Sequence, residues 1–547
     1  MTKVNDSRIG ANAWTIAGSD SSGAAGLQAD LRAFAAFAVD GSSVVTAVTA
    51  QSLDEFLAST PMRAEVVSDQ LRALARTGRP RAIKIGMLGS AENVETVAAW
   101  LAAGSRDDKC PVVFDPVWRS TSGGTLADDA TVAASIQKIL PLASLVTPNI
   151  PEAERLTGLR AAGIEDLPRL AAALRELGAR RVLLKGGHAR QISPQNGECH
   201  DYYTDGQTSF WLTTQWYPAL TRGTGCALSA AIAAAVATGL ELGCAVVAAR
   251  AHIARGLRLA AERAPPNAND AGEVNNASAG NELPPNPARR IRLPQPPWPV
   301  SPVDMPWLTS TLKGARERPQ FANCGSAALG FYPIVDRADW VVRLVKVGVR
   351  TIQLRIKDLS GEALQSEVAL AARACAAAEV RLFINDHWRA ALLEAKSGHS
   401  PTGIYGVHLG QEDLEKMTHA DAMMLAASGL HLGISTHSLS ELARAIAWRP
   451  SYLALGPIFS TTCKSMRFGP QGFSRLREWR SLTDLPLVAI GGLQLQHAEH
   501  LLDNGADGIA VIADISQNPD PERRTRDWLQ MLEKLCIKAR TAPGPVL

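Results

Sequence analysis

The sequence predicts two α/β units in one chain, a mainly parallel sheet with helices followed by a (β/α)8 barrel. Three observations predict this. The chain has 547 residues, too many for one ordinary domain. Short apolar runs rich in β-branched residues alternate with helical patterns in both parts, as in strands buried on both faces. A segment dense in Pro, Asn and Gly separates the parts and keeps no period of 2 or 3.6. The expected boundaries are residues 1–263 for the first unit, 264–327 for a linker and 328–540 for the barrel. About 60 residues of flexible chain would span roughly 40 Å. Trp298 and Trp307 flank the linker end and are candidates to dock it on a domain.

In the first unit the strand candidates are AWTIAGSD, SVVTAVTAQ, AIKIGML, PVVFDPV, SLVTPNI and RVLLKGG, with helical patterns such as GIEDLPRLAAALRELG between them. The apolar run Ala227–Ala249 is broken by Gly239, Glu241 and Gly243, so it reads as two soluble helices rather than a membrane span. The second unit has eight strand candidates, beginning at Phe331, Thr351, Arg381, Gly406, His431, Tyr452, Pro486 and Gly508. Their spacing of roughly 20 to 35 residues is that of a compact barrel, whose function sits at the strand C-terminal ends.

Composition excludes several classes of function. Apolar residues make up 46% and charged residues 20%, so the chain is globular. Lys plus Arg is 56 against 53 for Asp plus Glu, a net charge of +3, which excludes a strongly basic nucleic-acid binder. Eight cysteines without a C-x-x-C pair argue against zinc ribbons and disulfide scaffolds and for a reducing compartment. The N-terminus lacks a basic stretch followed by an apolar one, so no signal peptide is expected and the cytoplasm is the expected location.

The chemistry of the first unit centres on TRGTGCALSAAIAAA. Gly223 and Gly225 lead into an Ala-rich helix, whose orphan N–H groups and dipole favour an anion. Cys226 stands at the helix start, where a thiol pKa tends to fall. The competing reading is a Gly-rich cap with a buried cysteine. AGSDSSGAAGLQADL is a second Gly/Ser loop opening a helix. Asn149 and Glu152 follow a strand at a spacing suited to organising Mg²⁺ and its waters. Lys185 ends another strand within reach of phosphates, and Asp115 ends a third.

These stretches, with VVTAVTAQ, IKIGMLGS, TSGGTL and TPNIPEAERLTG, resemble the hydroxymethylpyrimidine/phosphomethylpyrimidine kinases of the ribokinase-like superfamily. The resemblance covers nearly the whole first unit. It implies ATP as co-substrate, Mg²⁺, and two successive phosphorylations of a thiamin-precursor pyrimidine. It implies that Gln51 holds the pyrimidine with Asp30 in support, and that Gly223 to Cys226 form the anion hole with Cys226 in the base position. It further implies that Glu152 and Asn149 arrange Mg²⁺, and that Lys185 contacts the ATP phosphates. Catalysis would be mainly positioning and charge stabilisation. The chain departs from the family pattern at Arg222, where His is usual, and at Ala24, where Gly is usual.

In the second unit Gln353, Arg355 and Lys357 end the second strand and alternate onto one side, as in a phosphate clamp or, alternatively, a solvated strand end. Asn385 and Asp386 end the third strand. Asp386 and Asp413 offer hard oxygens that can share Mg²⁺. Thr461, Thr462 and Lys464 follow the sixth strand, and Gly492 the seventh. The stretches GVRTIQLRIKD, LFINDHW, YGVHLGQEDL, LGISTHS, LALGPIF, VAIGGL and GADGIAVIADIS resemble the thiamine-phosphate synthases from about Tyr332 to Ser516. That resemblance implies that Gln353, Arg355, Lys357, Asn385, Ser435 and Lys464 hold a pyrimidine diphosphate. Asp386 and Asp413 would ligate Mg²⁺. Thr461, Thr462, Cys463, Gly492, Ile512 and Ala513 would hold the thiazole phosphate. Pyrophosphate would leave first, its charge neutralised by Mg²⁺, Arg355 and Lys464.

The whole reads as a bifunctional enzyme acting on small molecules, with no nucleic-acid or membrane partner, and a homo-oligomer is left open. Two alternatives stand for the first unit. One is a pyridoxine-type kinase; the other is a weakly catalytic pyrimidine-binding regulatory module, suggested by Arg222 and Ala24.

Overall fold

The computed structural model describes residues 10–103, 110–118, 124–187, 197–218, 221–263, 291–324, 329–397, 403–461 and 469–541. The chain divides into two compact units, Met1–Ala315 and Arg316–Leu547.

The first unit is built on a ten-stranded sheet. Its strands are β1 (Asn12–Asp20), β2 (Asp40–Gln51), β3 (Phe56–Pro61), β4 (Ala82–Ile85), β5 (Val112–Phe114), β6 (Leu145–Val146), β7 (Val182–Leu184), β8 (Glu198–Thr204) and β9 (Ser209–Gln215), with β12 (Trp307–Thr309) last. The order is β12-β9-β8-β7-β6-β5-β4-β1-β2-β3. The centre, β2-β1-β4-β5-β6-β7, is parallel, and both flanks are antiparallel. The central strands are the continuous apolar runs, because helices cover both faces there. The run Ala227–Ala249 falls into two helices, Thr224–Ala237 and Leu242–Glu262. Among the described residues no helix is long and apolar enough to cross a membrane.

The expected linker is corrected in its second half. Thr221–Arg222 and Ile291–Arg292 form a parallel pair, β10 and β11. Trp298 stacks on Phe37 at 5.5 Å between ring centroids. Arg258 grips Asp304 bidentately at 2.8 and 3.0 Å. Trp307 then adds β12 to the sheet by antiparallel pairing with β9. The cause is apolar burial: Leu293, Val300, Met305 and Leu308 are each 3–4% exposed. Proline removes ladder donors but still packs, so its density does not prevent docking. Residues 291–315 therefore belong to the first unit; residues 264–290 lie outside the described residues.

The second unit is a closed barrel of eight parallel strands, β13 (Gly330–Val335), β14 (Thr351–Leu354), β15 (Arg381–Asn385), β16 (Ile404–Leu409), β17 (His431–Thr436), β18 (Tyr452–Leu455), β19 (Leu487–Ile490) and β20 (Gly508–Val511). All eight match the expected runs. Tyr332, Ile334, Phe383, Tyr452 and Val488 fill its interior, so it is a packed core rather than a pore.

Candidate active sites

In the first unit Gly223 caps the helix Thr224–Ala237 in the left-handed region, at φ +83°. A Cβ there would stand 1.9 Å from the Ala24 carbonyl oxygen, so only glycine lets the Ser22–Ala25 loop and the helix start meet. The N–H groups of Thr224, Gly225 and Cys226 open the helix without intrahelical partners, as an anion hole needs. A Cβ on Gly225 would lie 3.2 Å from Lys185 Nζ, which places the ammonium beside those N–H groups.

Lys185 donates to Asp115 at 2.8 Å and lies 3.8 Å from Glu152. Burial pulls the Lys185 pKa down, but Asp115 and Glu152 outweigh it and keep the ammonium charged. Burial and Asp115 push the Glu152 carboxyl up to about 7, against Lys185. Thus Asp115, Glu152, Lys185 and the helix start come from four separate elements to one place.

The expectations for Asp30 and for the Cys226 thiol are corrected, and Asn149 and Glu152 carry a structural role. Asn149 Oδ1 accepts the Glu152 N–H at 2.9 Å while Glu152 accepts the Asn149 N–H at 2.7 Å. This is a capping box for the helix Ile150–Thr157, which occupies the Asn149 side-chain oxygen and one Glu152 oxygen and leaves the other Glu152 oxygen outside it. Asp30 does not support Gln51. It is fully buried, accepts from Lys84 at 2.8 Å and from Thr15 at 2.6 Å, and burial raises its pKa. Gln51 is instead held by Arg222, which donates to its side-chain oxygen at 2.9 Å and to the carbonyls of Ser52 and Leu53. The Cys226 thiol is not lowered. Burial pushes it up to about 11, with Asp30 and Asp115 adding to the rise against Lys84. Burial is the largest cause of the rise.

In the barrel every described candidate lies at or near a strand C-terminal end. Arg355 and Lys357 follow β14, and Lys357 pairs with Asp386. Asp386 follows β15 at φ +61° and donates its N–H to the His408 carbonyl. Asp386 and Asp413 are within hydrogen-bonding reach of each other and shift in opposite directions. Burial would raise Asp386, but Lys357 holds it below the usual carboxylate range. Burial and the Asp386 charge raise Asp413. Two carboxylates that resist ionising together fit a shared cation. Among the described residues no three His, Cys, Asp or Glu side chains gather, so a divalent ion here would complete its shell with water or phosphate.

Asn385 ends β15, almost fully buried, and Ser435 lies in β17. Gly492 sits at φ +67°, where a Cβ would meet the Ser460 carbonyl at 2.5 Å. Ile512 and Ala513 open a short helical turn directly after β20. Thr461 follows β18, while Thr462, Cys463 and Lys464 lie outside the described residues.

A buried chain of hydrogen bonds links this rim to the barrel core, and the sequence reading did not include it. Gln353 donates to Tyr332 at 3.1 Å, Tyr332 meets Tyr452 at 2.9 Å, Tyr452 meets His408 Nδ1 at 2.7 Å, and His408 Nε2 meets Ser435 at 2.8 Å. Burial lowers the His408 pKa to about 4, so the ring is neutral near pH 7. Only one direction leaves no buried hydroxyl hydrogen without an acceptor: each group accepts from its neighbour on the Gln353 side and donates toward Ser435. Ser435 is thereby left to donate into the mouth. The available signal was polar residues inside otherwise apolar strand runs. Tyr452→Phe breaks the relay at its middle and is expected to cost about 1–3 kcal/mol, read as a lower urea midpoint for the barrel.

Both units resemble known proteins. Residues 20–272 match the family described as phosphomethylpyrimidine kinase, and residues 331–515 match thiamine monophosphate synthase. The thiamine-phosphate synthase of Rhizobium etli is 50% identical over 200 residues, covering 36% of this chain and 93% of that protein. The synthase of Neisseria meningitidis serogroup B is 46% identical over 195 residues, covering 36% and 90%. The chain belongs to the thiamine-phosphate synthase family, with a phosphomethylpyrimidine kinase unit fused ahead of it. Among solved structures, the phosphomethylpyrimidine kinase of Clostridium difficile is 36% identical, with a TM-score of 0.37, covering 43% of this chain and 94% of that one. The fusion is a bifunctional enzyme of thiamin synthesis.

Proposed function

We propose that the first unit phosphorylates the hydroxymethylpyrimidine and then its monophosphate with ATP. The second unit then joins the resulting diphosphate to thiazole phosphate. The observation that carries this reading is the pair Asp386–Asp413, set between cations and a directed hydrogen-bond relay at the barrel rim.

In the first unit the N–H groups of Thr224 to Cys226 hold the transferring phosphoryl group, and Lys185 neutralises its charge. Arg222 fixes Gln51 toward the pyrimidine. Cys226 takes the hydroxyl proton. A thiol at about 11 is almost wholly protonated at neutral pH, so the reactive thiolate fraction grows about tenfold per pH unit. The kinase rate is therefore expected to climb about tenfold per unit between pH 7 and 9. A level profile would leave Cys226 with a backbone role only.

In the second unit Arg355 and Lys357 bind the diphosphate, while Gln353, Asn385 and Ser435 orient the pyrimidine ring. The C–O bond breaks and pyrophosphate departs with the electron pair. The thiazole nitrogen lone pair then forms the new C–N bond. Gly492, Ile512 and Ala513 hold the thiazole phosphate through backbone N–H groups. Asp386 and Asp413 would hold Mg²⁺, which supplies charge neutralisation to the leaving pyrophosphate.

The deciding experiment supplies the whole chain with hydroxymethylpyrimidine, ATP, Mg²⁺ and thiazole phosphate. Thiamine phosphate is the expected product, and its absence would overturn the reading. Pyridoxal in place of the pyrimidine separates the alternative kinase specificity.

A further inference from the structure

Within the first unit a cavity of about 500 Å³ lies between the helix Gly26–Ala36 and the segment Arg292–Pro297. Arg32, Arg263 and Arg292 line it, and no carboxylate does. Burial and the neighbouring Arg292 depress the Arg32 pKa, the mark of cations held close together. One terminal nitrogen of Arg32 is buried with no hydrogen-bond partner among the described residues. Within the same residues, Arg263 and Arg292 make no ion pair or side-chain hydrogen bond. Asp20 acts on Arg32 electrostatically, but its oxygens already accept from Ser22 and from the Ala25 N–H. Arg263 and Arg292 are exposed, whereas Arg32 is part-buried and its unpartnered terminal nitrogen is desolvated, a cost that a bidentate anion relieves.

Gln295 adds an amide whose Oε1 is buried without a partner among the described residues, and the rest of the lining is apolar, with Ala36, Leu293 and Pro294 among it. The volume falls in the range of small-molecule sites, larger than a bare anion needs. We propose that this cavity binds the phosphomonoester of a neutral heterocycle, its phosphate on the arginines and its ring on the apolar wall. Three guanidinium groups disfavour a cationic ring, which selects against thiazolium compounds.

Occupation bears on the kinase site. The Arg292 guanidinium carbon lies 3.7 Å from where a Cβ on Gly23 would stand, and the neighbouring Ala24 carbonyl abuts Gly223. A ligand on Arg292 thus presses on the loop that shapes the anion hole. The choice of probe rests on the proposed function, since thiazole phosphate is the neutral-ring phosphomonoester of the second reaction. The cavity itself does not rest on that reading.

The test is hydrogen exchange on the full chain with thiazole phosphate, thiamine phosphate or pyrophosphate added separately. Thiazole phosphate is expected to slow exchange over residues 26–36 and 292–297. The concentration for half-protection is expected to rise about tenfold or more in Arg292→Ala and in Arg263→Ala. Thiamine phosphate should need at least about tenfold more. No protection with thiazole phosphate, or protection unchanged in both variants, overturns the site. Equal protection by pyrophosphate overturns the heterocycle. A coupling assay on the same preparations reports separately on the functional reading.

Discussion

Gly223→Ala is expected to lower pyrimidine phosphorylation by about 10²–10³-fold, the loss typical of removing one preorganised donor from an anion site. The added methyl would have to occupy the position of the Ala24 carbonyl, 1.9 Å away. An alanine at φ +83° also carries left-handed strain of roughly 1–2 kcal/mol. Backbone cannot yield as a flexible side chain can, so the helix start and the Ser22–Ala25 loop must part. The N–H groups of Thr224 to Cys226 then no longer converge with Lys185. The coupling reaction in the same sample serves as the control, because it uses the other unit. A kinase rate within threefold of the unsubstituted enzyme would retire the anion hole.

Asp386→Asn is expected to reduce coupling by about 10²-fold or more and to raise the Mg²⁺ concentration required for half-maximal rate. Asparagine is nearly isosteric and is among the residues best suited to φ +61°, so the fold should survive. What is lost is the charge that pairs with Lys357 and faces Asp413. With Asp386 neutral, nothing keeps Asp413 raised except burial. In the unsubstituted enzyme Asp413, the raised member, takes a proton first as pH falls. The Mg²⁺ requirement should therefore increase toward acid pH. Titrating Mg²⁺ at several pH values checks both statements, and unchanged coupling with unchanged Mg²⁺ demand would defeat the metal assignment.

The barrel was legible because each strand is a short apolar run ending in polar residues, and a parallel barrel collects such ends at one rim. Arg355, Asp386, Asp413, Ser435 and Gly492 could be placed there from pattern alone. The relay through Tyr332, Tyr452 and His408 could not, since inward orientation is fixed only when the sheet closes. Asn149 and Glu152 carry the spacing of a capping box, a structural signal present in the sequence beside the one that suggested a metal. The Cys226 thiol is raised first by burial and then by Asp30 and Asp115, and both depend on segments remote in sequence. The segment 291–315 was read as linker because its partners, Phe37 and β9, lie far upstream.

That last segment has a practical consequence. Trp307–Thr309 is the outermost strand of the kinase sheet, although it follows the Pro-rich stretch. A kinase fragment ended at Arg263 would uncover the backbone of Ser209–Gln215 along one side, together with the indole-stacking surface of Phe37. Unpaired sheet margins recruit other chains, so such a fragment should precipitate or self-associate. Dissection of the two activities belongs after Ala315, where the compact unit closes.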